Sequence, residues 1–254
     1  MHLIFLHQLR AELLLSFQQL RVYWFNQLAS LVADTVFFFA IAMGIRALAA
    51  GTEVPLSLGN LLLLYAAFGI TVGMFQSIAF TLHNEATRGT LEHLALARGG
   101  LLRQLFLRAL ADTFFNVLYN GVVFLLLVLL LGVRLEPTPW FPLALLPVAL
   151  SAMGFGFLMG TLALYFKQVM GLFTILQFLL LPYFFTLAAW QPFMAYLPFA
   201  PGAHLLKLGL TGGALDPGVF LLALLQGVLL LSLGLLAMGR MYALVRHKGL
   251  LGRY

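Results

Sequence analysis

Two carboxylates stand out because of what surrounds them. Asp34 and Asp112 each lie inside a long apolar run, and each belongs to a polar series at four-residue steps: Asn26, Ser30 and Asp34 in the first, and Asp112, Asn116 and Asn120 in the second. A spacing of four places such residues on one helix face. An ionised carboxylate near the middle of a bilayer costs about 2.5–3.5 kcal/mol on insertion scales, so Asp34 should face the interior of a helix bundle or water. Such stripes serve two chemistries. They line a substrate route or make Asp34 a protonatable site, or they supply interhelical hydrogen bonds that hold helices together, worth about 0.6 kcal/mol per pair on average. Thr174 and Gln177 add polar groups to a later apolar run.

Other chemistry is thin. The chain has no cysteine, which removes disulfides, thiolate nucleophiles and Cys-ligated metals. The six histidines, His2, His7, His83, His93, His204 and His247, have no metal-site spacing, so no metal is expected. No catalytic constellation is expected either, because two separated aspartates are too few for an intramembrane enzyme. The G-x-x-x-x-G-K-[ST] phosphate loop is missing, since Lys167, Lys207 and Lys248 precede Gln, Leu and Gly. The chain itself is therefore expected to hold no cofactor.

The elements that must position these residues follow from composition. Of 254 residues, 63% are hydrophobic and 9% are charged, against about 45–50% and about 25% in soluble domains. Runs such as "FLLALLQGVLLLSLGLLAMG" are apolar on every face, which excludes the alternation of a membrane β-barrel. The expected fold is all-α: one polytopic transmembrane domain with six spans at 22–45, 59–81, 109–131, 141–166, 168–190 and 217–239. The net charge of +6 comes from residues flanking apolar runs, so it reads as topology and not as a nucleic-acid surface. Arg10 and Arg21, the second loop's Arg88, Arg98, Arg103 and Arg108, Lys167, and Arg240, Arg246, Lys248 and Arg253 fall on one side. Only Arg46, Arg134 and Lys207 fall opposite. The positive-inside rule then puts both termini in the cytoplasm, in a multi-pass protein of the cell (plasma or inner) membrane. Arg10, Glu12 and Arg21 interrupt the N-terminal region, so no cleavable signal peptide is expected.

Residues 1–21 carry Leu6, Leu9, Leu13, Phe17 and Leu20 on one stripe, with Gln8, Glu12 and Gln19 elsewhere on the wheel. They read as an interfacial helix, or as a cytoplasmic extension of the first span. The segment 191–214 holds Pro192, Pro198 and Pro201 among aromatic residues. It is either a re-entrant element or an aromatic hairpin at the outer interface. Gly69-x-x-x-Gly73 and Gly156-x-x-x-Gly160 permit close helix packing within the chain, and Pro142, Pro147 and Pro182 suit bends. Residues 240–254 form a basic tail.

The stretch "HNEATRGTLEHLALARGG", His83 to Gly100, is compact, charged and amphipathic. Thr90 suits an N-cap and Glu92 complements the helix dipole, with Leu91 and Leu94 on an apolar side and Gly99-Gly100 as the stop. Residues 84–98 thus read as a short cytoplasmic helix, either orienting the third span or docking a partner. Here the sequence resembles type-2 ATP-binding-cassette exporter permeases. The resemblance rests on Glu85, Gly89, Thr90, Leu91, Glu92 and Leu94 in "EATRGTLEHLALA" and on the arrangement of spans, the re-entrant segment and the basic tail.

The resemblance implies a membrane-spanning subunit that exports a hydrophobic or amphipathic substrate such as a drug, lipid or lipid-linked glycan. It also implies a dimer with a second copy or a paralogue, and two separate ATPase subunits that bring ATP and Mg. The 84–98 segment would be the coupling helix: Glu85, Arg88 and Glu92 would make polar contacts to the ATPase, and Leu91 and Leu94 would pack. The first, second and fifth spans would face the two-fold axis, making Asn26, Ser30, Asp34, Thr174 and Gln177 lining residues. The alternative is a secondary transporter driven by an ion gradient and working through Asp34. Such carriers show paired broken helices in internal repeats, whereas the interrupted segment here occurs once.

Overall fold

A computed structural model describes residues 2–49, 58–87, 96, 99–166 and 169–248. Every long element among them is an α-helix: α1 (His2–Val22), α2 (Trp24–Ala49), α3 (Leu58–Thr87), α4 (Gly100–Leu131), α5 (Phe141–Phe166), α6 (Met170–Thr186), α7 (Ala200–Leu210) and α8 (Pro217–His247). A 3-10 turn, Pro192–Tyr196, precedes α7. Five of these helices, α2, α3, α4, α5 and α8, are long and apolar enough to cross a membrane. The chain has the build of a multi-pass membrane protein.

The helices outrun the expected spans. The third span, expected at 109–131, begins at Gly100, because Arg103 and Arg108 are good helix formers and interrupt only the apolar run, not the helix. At 1.5 Å per residue, α4 is about 48 Å long, well beyond a hydrocarbon core of about 30 Å. Gly99 and Gly100, with φ of 99° and 74°, stand at its start. The expected fifth span is shorter than its 168–190 bounds: α6 has 17 residues, or about 25 Å.

α3 is the central helix, with 72% of its apolar window buried, and α4, α5, α6 and α7 pack around it. The most extensive packing joins α5 to α8. There a Cβ on Gly154 would fall 2.3 Å from the Leu230 carbonyl carbon, and one on Gly234 would fall 2.3 Å from the Gly154 carbonyl oxygen. Only glycine lets these backbones approach so closely. Gly156 and Gly160 serve likewise against Ile78 of α3. Of the prolines, Pro142 sits in the first turn of α5, where no helical bond is lost, while Pro147 and Pro182 lie inside α5 and α6. Asp216 caps α8, its Oδ1 accepting from Gly218 N at 2.8 Å and Val219 N at 3.2 Å, with Pro217 following.

α1 differs in facing from its sequence reading. Helical bonds continue across the break at Tyr23 (Tyr23 N to Gln19 O, 2.9 Å; Gln27 N to Tyr23 O, 3.1 Å), and α1 packs on α4. Leu9, Leu13 and Leu20 are partly covered together with Gln8 and Glu12, whereas Leu6 and Phe17 of the proposed stripe are exposed. Glu12 is half-buried, within electrostatic reach of Arg108 of α4.

The 191–214 segment becomes the 3-10 turn and α7, which is largely buried against α5, α3 and α8. Thr138 N and Oγ1 donate to Gly209 O at 2.8 and 3.0 Å, and Glu136 N donates to Leu210 O at 3.0 Å. These bonds tie the α4–α5 loop to the end of α7.

Candidate functional site

The two polar series meet in part: Asp34 of the first lines one cavity with Asn116 and Asn120 of the second. About midway along the apolar window Trp24–Ile45, Asp34 points from α2 toward α4, where its Oδ2 accepts from Tyr119 Oη at 2.7 Å. Tyr65 of α3 donates to the Asp34 backbone carbonyl at 3.1 Å. Among the described residues, Asp34 Oδ1 takes no hydrogen bond. Across the same space Gln76 Nε2 of α3 donates to Gln177 Oε1 of α6 at 2.9 Å. These side chains line a cavity of about 170 Å³ that α2, α3, α4 and α6 enclose.

The glycine pair of α3 makes this cavity possible. A Cβ on Gly69 would fall 2.1 Å from Asn120 Oδ1, and one on Gly73 would fall 1.8 Å from Asn116 Nδ2. The two asparagines of α4 thus occupy the space that side chains at 69 and 73 would need. Asn120 Nδ2 also donates to Asn116 O at 2.9 Å, which fixes its amide. The Gly-x-x-x-Gly spacing was readable as close packing. Its role in seating the amides was not, because nothing in α3's sequence marks which residues of α4 lie opposite.

Asp112 does not reach the cavity. Its Oδ2 accepts from Ser77 Oγ of α3 at 2.5 Å, one to two turns below the Asn116 and Asn120 level. Nearby, Arg108 lies 3.6 Å from Glu85 and acts electrostatically on Asp112 and on Glu12 of α1. Burial raises the Glu12 carboxyl above its ordinary value, Arg108 opposes this, and Asp112 adds to it. Asp112 is therefore one member of a polar clamp joining α1, α3 and α4.

Of the expected lining residues, Asp34 and Gln177 meet in the cavity. Asn26 is exposed, Ser30 is not among the lining residues, and Thr174 is exposed with its hydroxyl bonded back to Met170 O at 3.1 Å. Tyr65, Gln76 and Tyr119 belong to the site and were missed. A tyrosine in an apolar run reads first as an aromatic filler, and only its spacing relative to Asn116 and Asn120 hinted at Tyr119. Of the expected docking residues, Glu85 is described, at the end of α3, while Arg88, Gly89, Thr90, Leu91, Glu92 and Leu94 lie outside the described residues. Within that stretch Leu96 is helical and 84% exposed.

Beside the cavity, α1, α2 and α4 form an apolar groove of about 380 Å³ lined by Leu20, Trp24, Leu28, Leu31, Leu118 and Val122 among others, and Tyr119 borders both spaces. Among the described residues no group of three or more His, Asp or Glu is placed to hold a metal ion.

No protein-family model matches the chain, and no curated protein matches it.

Proposed function

We propose that the chain is the membrane-spanning permease subunit of an ATP-driven exporter that moves a hydrophobic or amphipathic substrate outward. The observation that carries this reading is mechanical. The helices flanking the 88–98 stretch, α3 and α4, supply most of the cavity wall, and the Glu85–Arg108 pair clamps them where that stretch joins. A push on the stretch reaches Gly69, Gly73 and Gln76 through one rigid helix, and Asn116, Tyr119 and Asn120 through the other.

In this reading the 84–98 segment is the coupling helix, and two separate ATPase subunits, carrying ATP and Mg, dock on it. α6 makes the sixth crossing, its short length met by local bilayer thinning, and the 3-10 turn with α7 forms the re-entrant segment. Both termini are cytoplasmic. A second permease copy or paralogue completes the path against the exposed apolar faces of α2 (Val32, Val36, Met43) and α6 (Ile175, Phe178, Leu179). α3, wrapped by its own bundle, meets the path through the cavity it lines. The competing reading, an ion-gradient carrier that uses Asp34, draws on the same cavity and differs in needing no ATPase.

The absence of native cysteine makes the test direct. Leu94→Cys carrying a photoreactive maleimide is cross-linked in native membranes, and the adduct is identified by mass spectrometry. A nucleotide-binding subunit is expected, and its capture should be lost when Glu92→Arg is added. Adducts with lipid alone would reject the docking assignment.

A further inference from the structure

We propose that the cavity and the neighbouring groove form one binding site for a cationic amphiphile, with a quaternary ammonium head beside Asp34 and a hydrocarbon tail in the groove between α2 and α4. The inference names the substrate class of the same site, and for its transport role it rests on the exporter reading.

The head end is chosen by chemistry. Among the described residues, Asp34 is the one carboxylate lining the cavity, and no Lys, Arg or His lines it. Its Oδ1 is open while Oδ2 is held by Tyr119. Phe37, Tyr65, Phe68 and Tyr119 line the same space. A carboxylate among several aromatic rings is the environment in which quaternary ammonium ions are recognised, because ring faces attract a diffuse cation that cannot donate hydrogen bonds. A zwitterionic phosphocholine head would bring a phosphate into a cavity where no described residue is basic.

The tail end is chosen by continuity. Leu28 and Leu31 of the groove and Asp34 and Phe37 of the cavity succeed one another at three-residue steps along α2, a row that winds around the helix from one space to the other. On α4, Leu118 and Val122 flank Tyr119 on the groove side, and Asn116 and Asn120 flank it on the cavity side. The groove falls within the roughly 300–1,000 Å³ typical of ligand sites, and the cavity falls below it. A ligand with a compact head and a longer apolar tail uses both.

The test uses the full chain in nanodiscs of phosphatidylethanolamine and phosphatidylglycerol, which contain no quaternary ammonium, with radiolabelled dodecyltrimethylammonium as probe and empty nanodiscs as background. Saturable binding is expected, at least tenfold weaker in Asp34→Asn and retained in Asp34→Glu. Leu118→Trp, which fills the groove without touching the carboxylate, should weaken the probe several-fold, and it decides the matter if Asp34→Asn fails to fold. Dodecyl maltoside and dodecylphosphocholine should compete poorly. No saturable binding, or equal affinity in Asp34→Asn and Leu118→Trp, overturns the proposal, and equal competition by dodecylphosphocholine assigns the site to a lipid headgroup instead. Because the assay contains no ATPase, its failure leaves the cross-linking result at position 94 standing. Failure of that cross-link with binding intact removes the exporter reading alone.

Discussion

Single side chains carry the polar interior, and glycine is the most constrained of them. Gly73→Ala should destabilise the chain by about 1–3 kcal/mol, since its Cβ would strike Asn116 Nδ2 and force the amide from its seat. The control is Gly44→Ala, where a Cβ meets nothing within 4 Å and little change is expected. A double-mutant cycle with Asn116→Ala, read by thermal unfolding in detergent, should recover much of the Gly73→Ala loss. Equal losses with and without Asn116 would show that the amide is not what fills that space.

His204 makes a second residue-scale prediction. Its ring stacks on Trp190 with centroids 3.8 Å apart, and its Nδ1 is buried with no hydrogen-bond partner among the described residues. Burial, reinforced by Lys207 and partly opposed by Asp216, pushes its pKa down from 6.5 to about 4. The folded chain therefore binds fewer protons than the unfolded chain between these values. Stability from this site is complete above about pH 6.5 and is lost as pH falls through 4. Melting temperature against pH should decline over that window, and the decline should shrink in His204→Gln. An unchanged slope in the variant would place the titration elsewhere.

At the scale of elements, two contacts act differently. The α5–α8 crossing depends on backbone approach, so Gly234→Leu should cost well over 1 kcal/mol and disrupt folding, because the carbonyl of Gly154 cannot retreat as a side-chain end could. The Glu85–Arg108 pair is partly exposed and contributes at most about 1 kcal/mol to stability. Its importance lies in joining α3 to α4. Glu85→Gln should barely shift the melting temperature yet lower ATP-driven transport several-fold, whereas a parallel loss of both would make the pair merely structural.

Elements were also where the sequence was most and least legible. Apolar runs located the five long helices, because hydropathy is a local signal. The start of α4 was missed by about two turns, since Arg103 and Arg108 break an apolar window without breaking a helix. The half-burial of Glu12 was missed because α4, on which α1 packs, is far away in sequence. The same holds for the site. Asp34 was singled out by its charge and depth, and Gln177 by the resemblance, which turns the fifth span toward the path. Asn26, Ser30 and Thr174 looked equivalent, and only tertiary packing separates them from the residues that line the cavity.

For the whole molecule, burial is uneven in a way that suits a membrane. α2, α4 and α8 keep most of their apolar surface uncovered, with Leu125, Leu129, Leu225, Leu229 and Leu233 among the exposed residues. α3 is wrapped by its neighbours. In water such faces would aggregate; in lipid they cost nothing, and the one helix that carries Gly69, Gly73 and Gln76 is kept from lipid. Single cysteines at Glu92 and at Thr138 should react with an impermeant maleimide from opposite sides of the membrane, position 92 from the cytoplasm. Reaction from the same side would break the assigned topology.

The central claim is that nucleotide-driven movement of α3 and α4 changes which side of the membrane the Asp34 cavity faces. Val72→Cys lines that cavity and adds the chain's sole thiol, so its labelling rate by a water-soluble maleimide can be followed in native-membrane vesicles of both orientations. The account predicts faster labelling from the cytoplasmic side without nucleotide and from the outer side with a non-hydrolysable ATP analogue. Rates independent of nucleotide in both orientations would contradict it.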